Sequence, residues 1–177
     1  GTRAVVVITA GFGSGDLGPD GKPLSQALRK ATQPFGTRII GPNCLGILAP
    51  TLRLNAGFSH LASNPGGLAF VAQSGAIVTV VQDWAEPRGY GFSHLVSLGD
   101  MLDVDFGDML DYLANDPRTD AILLYVEGIK HSRKFMSAAR AAARMKPVVA
   151  VKGGRFEAGM KAAASHALSP TPPTQVR

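Results

Sequence analysis

Gln73-Ser74-Gly75 separates two apolar runs, Leu68 to Ala72 and Ala76 to Ala85, that would otherwise merge. The first run is short and follows Pro65-Gly66-Gly67, which predicts a buried strand, and the second is long enough for a helix. A hydroxyl and a glycine at a strand-to-helix turn have a chemical use. Ser74 is placed to cap the helix, and the amides of Gly75, Ala76 and Ile77 have no intrahelical partner. They point beyond the strand end, so this turn is a candidate seat for an anion.

A second chemical group is Glu127, which closes the apolar run "AILLYV". A carboxylate there needs a partner, and a histidine suits it, because the carboxylate holds an imidazole in one tautomer and favours its charged form. Of the four histidines, His60 falls in a turn-rich passage, His94 within a strand and His131 just before a helix, and these three read as structural. His166 follows the small-residue stretch "GMKAAAS", where a loop could carry it over the strand ends.

The elements that must position these groups alternate strand and helix from residue 68 onward, the rhythm of a parallel α/β sheet. Strands are expected at Leu68 to Ala72, Phe92 to Leu98, Ala121 to Val126 and Pro147 to Lys152. Helices are expected at Ala76 to Ala85, Asp105 to Ala114 and Ser132 to Met145. Open parallel sheets bind ligands at the carboxyl ends of their strands. That edge gathers Gln73-Ser74-Gly75, Gly99-Asp100, Glu127-Gly128 and Gly153-Gly154.

Residues 1 to 50 read as a separate unit: a strand from Ala4, a Gly/Pro/Asp loop, a helix near Leu24 to Gln33 and a short strand in "TRIIGPN". Two strands make no independent core, so the unit is expected to be the last part of a larger domain. Residues 51 to 67 read as a connecting segment and 68 to 166 as the parallel-sheet domain. Residues 167 to 177 include "SPTPPTQVR", whose three prolines and lack of apolar period predict a disordered tail.

At 177 residues and 45% hydrophobic content the chain can bury a core. The apolar start "AVVVIT" is β-branched and reads as a strand, and no run reaches membrane-spanning length. The single cysteine, Cys44, excludes an internal disulfide and a multi-cysteine metal site, and suits a reducing cytoplasm. The net charge of +5 is scattered, without interleaved aromatics, which favours a phosphorylated small molecule over nucleic acid. Arg133, Lys134, Arg140, Arg144 and Lys146 read as the solvated face of one helix.

The series "IIGPNCLGI", "VAQSGA", "DWAEPRGYGFSHLVSLGDMLDVD", "YLANDPRTDAILLYVEGI", "KPVVAVKGGR" and "AAASH" resembles, in order, the α-subunit region of the NDP-forming acyl-CoA synthetases. That superfamily includes succinyl-CoA synthetase and ADP-forming acetyl-CoA synthetase. The resemblance covers about residues 4 to 168 and implies a flavodoxin-like domain preceded by the end of a Rossmann CoA-binding domain. It also implies passage of a phosphoryl group from an acyl phosphate to a histidine and then to a nucleotide, while CoA takes the acyl group.

Carried over by position, His166 is similar to the phosphorylated histidine and Glu127 to the carboxylate that orients it. Ser74, Gly75 and Ala76 match the phosphate-receiving helix start. Asn43 and Cys44 match the "GPNC" loop near the reactive end of CoA, although Cys44 also reads as a small buried residue and not as a nucleophile. His166 stands in "SHALSP", without the Thr-Gly pair usual after this histidine.

The resemblance further implies CoA, an acyl phosphate, and ATP or GTP with Mg held by an ATP-grasp β-subunit or domain that this chain does not contain. An oligomer is expected, and this chain alone is expected to be inactive. The same stretches are also similar to the synthetase-like part of fused GNAT protein lysine acetyltransferases, which implies acyl-CoA sensing as the alternative function.

Overall fold

A computed structural model describes residues 1–13 and 15–153. The N-terminal part carries β1 (Ala4–Val6), α1 (Leu24–Thr32) and β2 (Arg38–Ile40), with β1 and β2 paired in parallel. The remaining elements are β3 (Gly46–Ala49), β4 (Leu54–Gly57), β5 (Pro65–Ala72), α2 (Gly75–Ala85), β6 (Phe92–Ser97), α3 (Phe106–Asn115), β7 (Ala121–Val126), α4 (Ser132–Met145) and β8 (Val148–Lys152). Six strands form one sheet in the order β4-β3-β6-β5-β7-β8. The four strands β6, β5, β7 and β8 are parallel, as the alternation with helices predicts, and β3 and β4 add an antiparallel edge.

That edge differs from the expected division of the chain. Residues 46–57 fall partly in the expected N-terminal unit and partly in the expected connecting segment, yet they form a hairpin on the free side of β6. Neither "GILA" nor "LNAG" carries a strand signal of its own. Their pairing is nonlocal, and β6 supplies the exposed backbone groups that such short strands satisfy. The rest of the passage is tied down by Gln82 of α2, which is 1% exposed. Its amide nitrogen donates to Ser63 Oγ at 2.9 Å and Leu61 O at 3.3 Å, and its oxygen accepts from Ser59 Oγ at 2.7 Å.

Successive strand residues point to opposite faces, so β5 feeds two cores. Ala69 and Val71 pack with Val96, Leu98, Ile122 and Leu124 under α3 and α4, through Leu110, Leu113, Ala138 and Ala142. Phe70 and Ala72 pack with Leu95 under α2, through Val78 and Ala85. All three helices thus start at the carboxyl ends of the strands and run back.

Helix α3 begins one residue later than expected, because Asp105 is its cap. The Asp105 side chain accepts from the amides of Gly107 and Asp108, and Asp108 reaches back to the Asp105 amide at 3.0 Å, a reciprocal capping box. The basic residues of α4 are not one solvated face. Lys134 pairs with Asp105 at 3.0 Å and also with Asp108, while Lys146 donates to the carbonyls of Leu113 and Asp116 at the end of α3. Such a cation suits the negative pole of that helix.

Candidate functional site

The tips of β5, β6 and β7 are joined by one residue. Gln73 Oε1 accepts from the amides of Glu127 at 2.6 Å and Gly128 at 2.7 Å, and the Gln73 carbonyl accepts from the Gly99 amide at 3.0 Å. The sequence places Gln73 at this edge, but only the tertiary structure gives its side chain this bridging role.

Ser74 occupies the N-cap position of α2 in extended conformation (φ −81°, ψ 126°), but its side chain makes no capping hydrogen bond, contrary to expectation. The hydroxyl is therefore not consumed by the helix. The first intrahelical donor is Val78, to Ser74 O at 3.4 Å, so the amides of Gly75, Ala76 and Ile77 precede the helical ladder. Gly75 lies against Leu45, whose Cβ would be 3.1 Å from any Cβ placed there.

Asn43 adopts a left-handed conformation (φ 56°) in a loop that is bonded to the chain beyond β6. Asp100 N donates to Pro42 O at 2.9 Å, Leu102 N to Gly41 O at 2.9 Å and Val104 N to Ile39 O at 3.1 Å. Gly99 has φ +54°, and a side chain there would run into the carbonyls of Pro42 and Asn43. The 41–44 loop and the tip of β6 consequently lie in direct backbone contact. Cys44 is 3% exposed with Sγ 3.4 Å from Val7 O. Burial pushes its thiol up to about 11, so it stays a neutral thiol near pH 7.

The carbonyl of Glu127 accepts from Lys152 Nζ at 2.7 Å, and the ion pairs among the described residues do not involve its carboxylate. His166 and Gly154 lie outside the described residues, as does the expected tail at 167–177. The other histidines each lie near an aspartate: His60 Nε2 is 2.9 Å from Asp83, His131 Nδ1 is 2.9 Å from Asp105, and His94 Nδ1 is 3.6 Å from Asp116. Two residues that the sequence did not single out complete the edge. Lys130 Nζ donates to the carbonyls of Asp100 and Met101, and Met101 takes a left-handed φ of 48°. Among the described residues no cluster of metal-ligating side chains forms and no helix is long and apolar enough to cross a membrane.

Residues 65–176 match the family described as the succinyl-CoA ligase like flavodoxin domain. The chain belongs to this family. It is 45% identical over 164 residues to an acetate–CoA ligase [ADP-forming] I of Archaeoglobus fulgidus, covering 93% of this chain and 24% of that protein. It is 43% identical to the acetate–CoA ligase [ADP-forming] II subunit alpha of Pyrococcus furiosus, covering 94% of this chain and 36% of the relative. A solved acetyl-coenzyme A synthetase 1 of Ca. Korarchaeum cryptofilum, in complex with phosphate and ADP, superposes with a TM-score of 0.83 at 36% identity, covering 96% of this chain and 36% of that one. The chain thus spans between a quarter and about a third of the length of these relatives. Being ligases or synthetases by name, they give the acetyltransferase alternative no support.

Proposed function

We propose that this chain is the α-subunit-like part of an NDP-forming acyl-CoA synthetase, in which acid, CoA and NTP give acyl-CoA, NDP and phosphate. The observation that carries this reading is that the turn before α2 and the 41–44 loop are both bonded to the chain at the tip of β6. Gln73 and Gly99 link the tips of β5 and β6, and Asp100 links β6 to Pro42. A phosphate at the amides of Gly75, Ala76 and Ile77 and a thiol near Asn43 are then neighbours across two strand tips, as acyl transfer between phosphate and sulfur requires.

In this reading the α2 amides and the free Ser74 hydroxyl stabilise charge on the phosphoryl oxygens, the main task of a protein in phosphoryl transfer. Glu127 accepts a hydrogen bond from one ring N–H of His166 and leaves the other nitrogen free to attack phosphorus. Gln73 holds the Glu127 backbone in place. The nucleotide, ATP or GTP with Mg, belongs to an ATP-grasp domain or subunit that completes the enzyme, so the isolated chain makes no acyl-CoA.

The test is to incubate the full-length protein with γ-labelled NTP and to follow acid-labile, base-stable label in the wild type and in His166→Ala. Label in the wild type and none in the variant is expected. Equal label in both would remove His166 from the mechanism, and its absence from both would overturn the reading.

A further inference from the structure

Three consecutive carbonyls in the turn after β6 are held by cations. Lys130 Nζ donates to Asp100 O and, at 3.3 Å, to Met101 O, and Arg29 Nη2 donates to Leu102 O. Met101, at the centre of this turn, has a left-handed backbone with φ 48°. For a residue with a side chain that conformation costs energy and persists only where surrounding bonds enforce it. The two cations supply such bonds.

The amides of the same stretch hold a different partner. Asp100 N donates to Pro42 O at 2.9 Å, Leu102 N to Gly41 O at 2.9 Å and Val104 N to Ile39 O at 3.1 Å, while the Asp103 carboxylate accepts from the Ile39 amide at 2.8 Å. The 100–104 segment therefore fixes the backbone that leads into the 41–44 loop. Just beyond that loop, Leu45 lies against Gly75 at the start of α2.

Lys130 joins this arrangement to the third strand tip. It follows Glu127 and Gly128, whose amides Gln73 holds, by three and two residues. An ammonium group has three donors and no acceptor, which suits converging carbonyls, and a charged donor bonds them more strongly than a neutral one. Among the described residues no ion pair includes Lys130, so carbonyls and not a carboxylate fix its head group.

Resting on the proposed synthetase reading, we propose that Lys130 is a positioning residue for coenzyme A: through the carbonyls of Asp100 and Met101 it holds the 41–44 loop where that loop receives the thiol-bearing arm. Without the ammonium, Met101 is free to leave its left-handed conformation. The amides of Asp100 and Leu102 then shift, and the loop bonded to them shifts as well. The nucleotide end of CoA lies at the other end of a long arm and is untouched by this change.

The test is calorimetric binding of CoA and of adenosine 3′,5′-bisphosphate, which keeps the nucleotide end of CoA and lacks the thiol-bearing arm, to the full-length protein. Wild type is compared with Lys130→Met, which keeps the stem and removes the charge, and with Lys130→Arg, which keeps a charged donor. Lys130 is exposed, so neither substitution disturbs the core. The wild type should bind CoA more tightly than the bisphosphate. Lys130→Met should weaken CoA about fivefold or more, the worth of roughly one hydrogen bond, leave the bisphosphate within about twofold, and be largely relieved in Lys130→Arg. Unchanged CoA affinity in Lys130→Met, equal losses with both ligands, a loss that Lys130→Arg leaves in full, or a wild type that binds CoA no better than the bisphosphate overturns the positioning role. Each of these leaves the synthetase reading standing as long as the wild type takes label from NTP. A wild type that neither binds CoA nor takes label overturns that reading and the role of Lys130 with it.

Discussion

The side chain of Gln73 at the tip of β5 holds the backbone of Glu127 at the tip of β7, accepting its amide at 2.6 Å and that of Gly128 at 2.7 Å. The backbone of Glu127 is therefore held from a strand tip 54 residues earlier in the chain.

Gln73→Leu removes the acceptor and strands two partly buried amides. Such a loss costs about 1–3 kcal/mol, seen as a lower urea midpoint. Gln73→Glu keeps an acceptor in nearly the same place and adds a negative charge beside the anion seat. It should fold close to wild type yet bind phosphate more weakly, measured by calorimetry on the purified chain. Equal phosphate affinity in Gln73→Glu and wild type would remove the anion from this strand tip.

Gly99→Ala and Gly89→Ala separate backbone strain from collision. Both glycines have left-handed backbones, at φ +54° and +70°, but only at Gly99 would a Cβ meet backbone, that of Pro42 and Asn43. The Gly89 substitution should cost about 1–2 kcal/mol, the price of alanine in that conformation. The Gly99 substitution should cost clearly more, because the 41–44 loop must move as well. Matched urea denaturation of the two variants checks this, and equal losses would show that the two loops are not packed as described.

Asp105 caps α3, pairs with Lys134 and lies 2.9 Å from His131 Nδ1. Burial alone would raise its carboxyl, but hydrogen bonds from Lys134, His131 and the Asp108 amide outweigh it and hold the group at about 2. A carboxyl depressed in the folded state contributes stability that is complete above its unfolded value near 4 and is lost as pH falls from there through about 2. Asp105→Asn should flatten the acid limb of stability in that window, and at pH 7 it should lower the urea midpoint.

His94 is 3% exposed, and its Nδ1, 3.6 Å from Asp116, is buried without a hydrogen-bond partner. That separation is too long for a hydrogen bond, so the contact is not a formed ion pair. Burial lowers the imidazole below its usual range, against the pull of Asp116, and the ring stays neutral when folded. The unfolded chain then binds the extra proton, so stability falls as pH drops below about 6.5. His94→Phe, packed against Tyr112 as the ring now is, should show a shallower fall between pH 7.5 and 5.5. An unchanged slope would mean that His94 is already protonated in the fold.

The alternation of apolar runs with amphipathic ones placed β5 through β8 and the three helices between them, because these elements advertise themselves locally through period and composition. The same local signals marked the strand-end residues Gln73 to Gly75, Gly99-Asp100 and Glu127-Gly128, since a turn at a strand end needs glycine or polar residues whatever surrounds it. The tertiary structure alone decided what those residues touch. "GILA" and "LNAG" became strands only because β6 offered an unpaired edge. Ser74 left its helix uncapped, and Gln73 turned its amide across to β7. Asp100 came to Asn43 because two loops 57 residues apart, those around 43 and 100, share backbone hydrogen bonds. Hydrogen bonds and close approaches between distant segments depend on three-dimensional packing, and no period in the sequence records them.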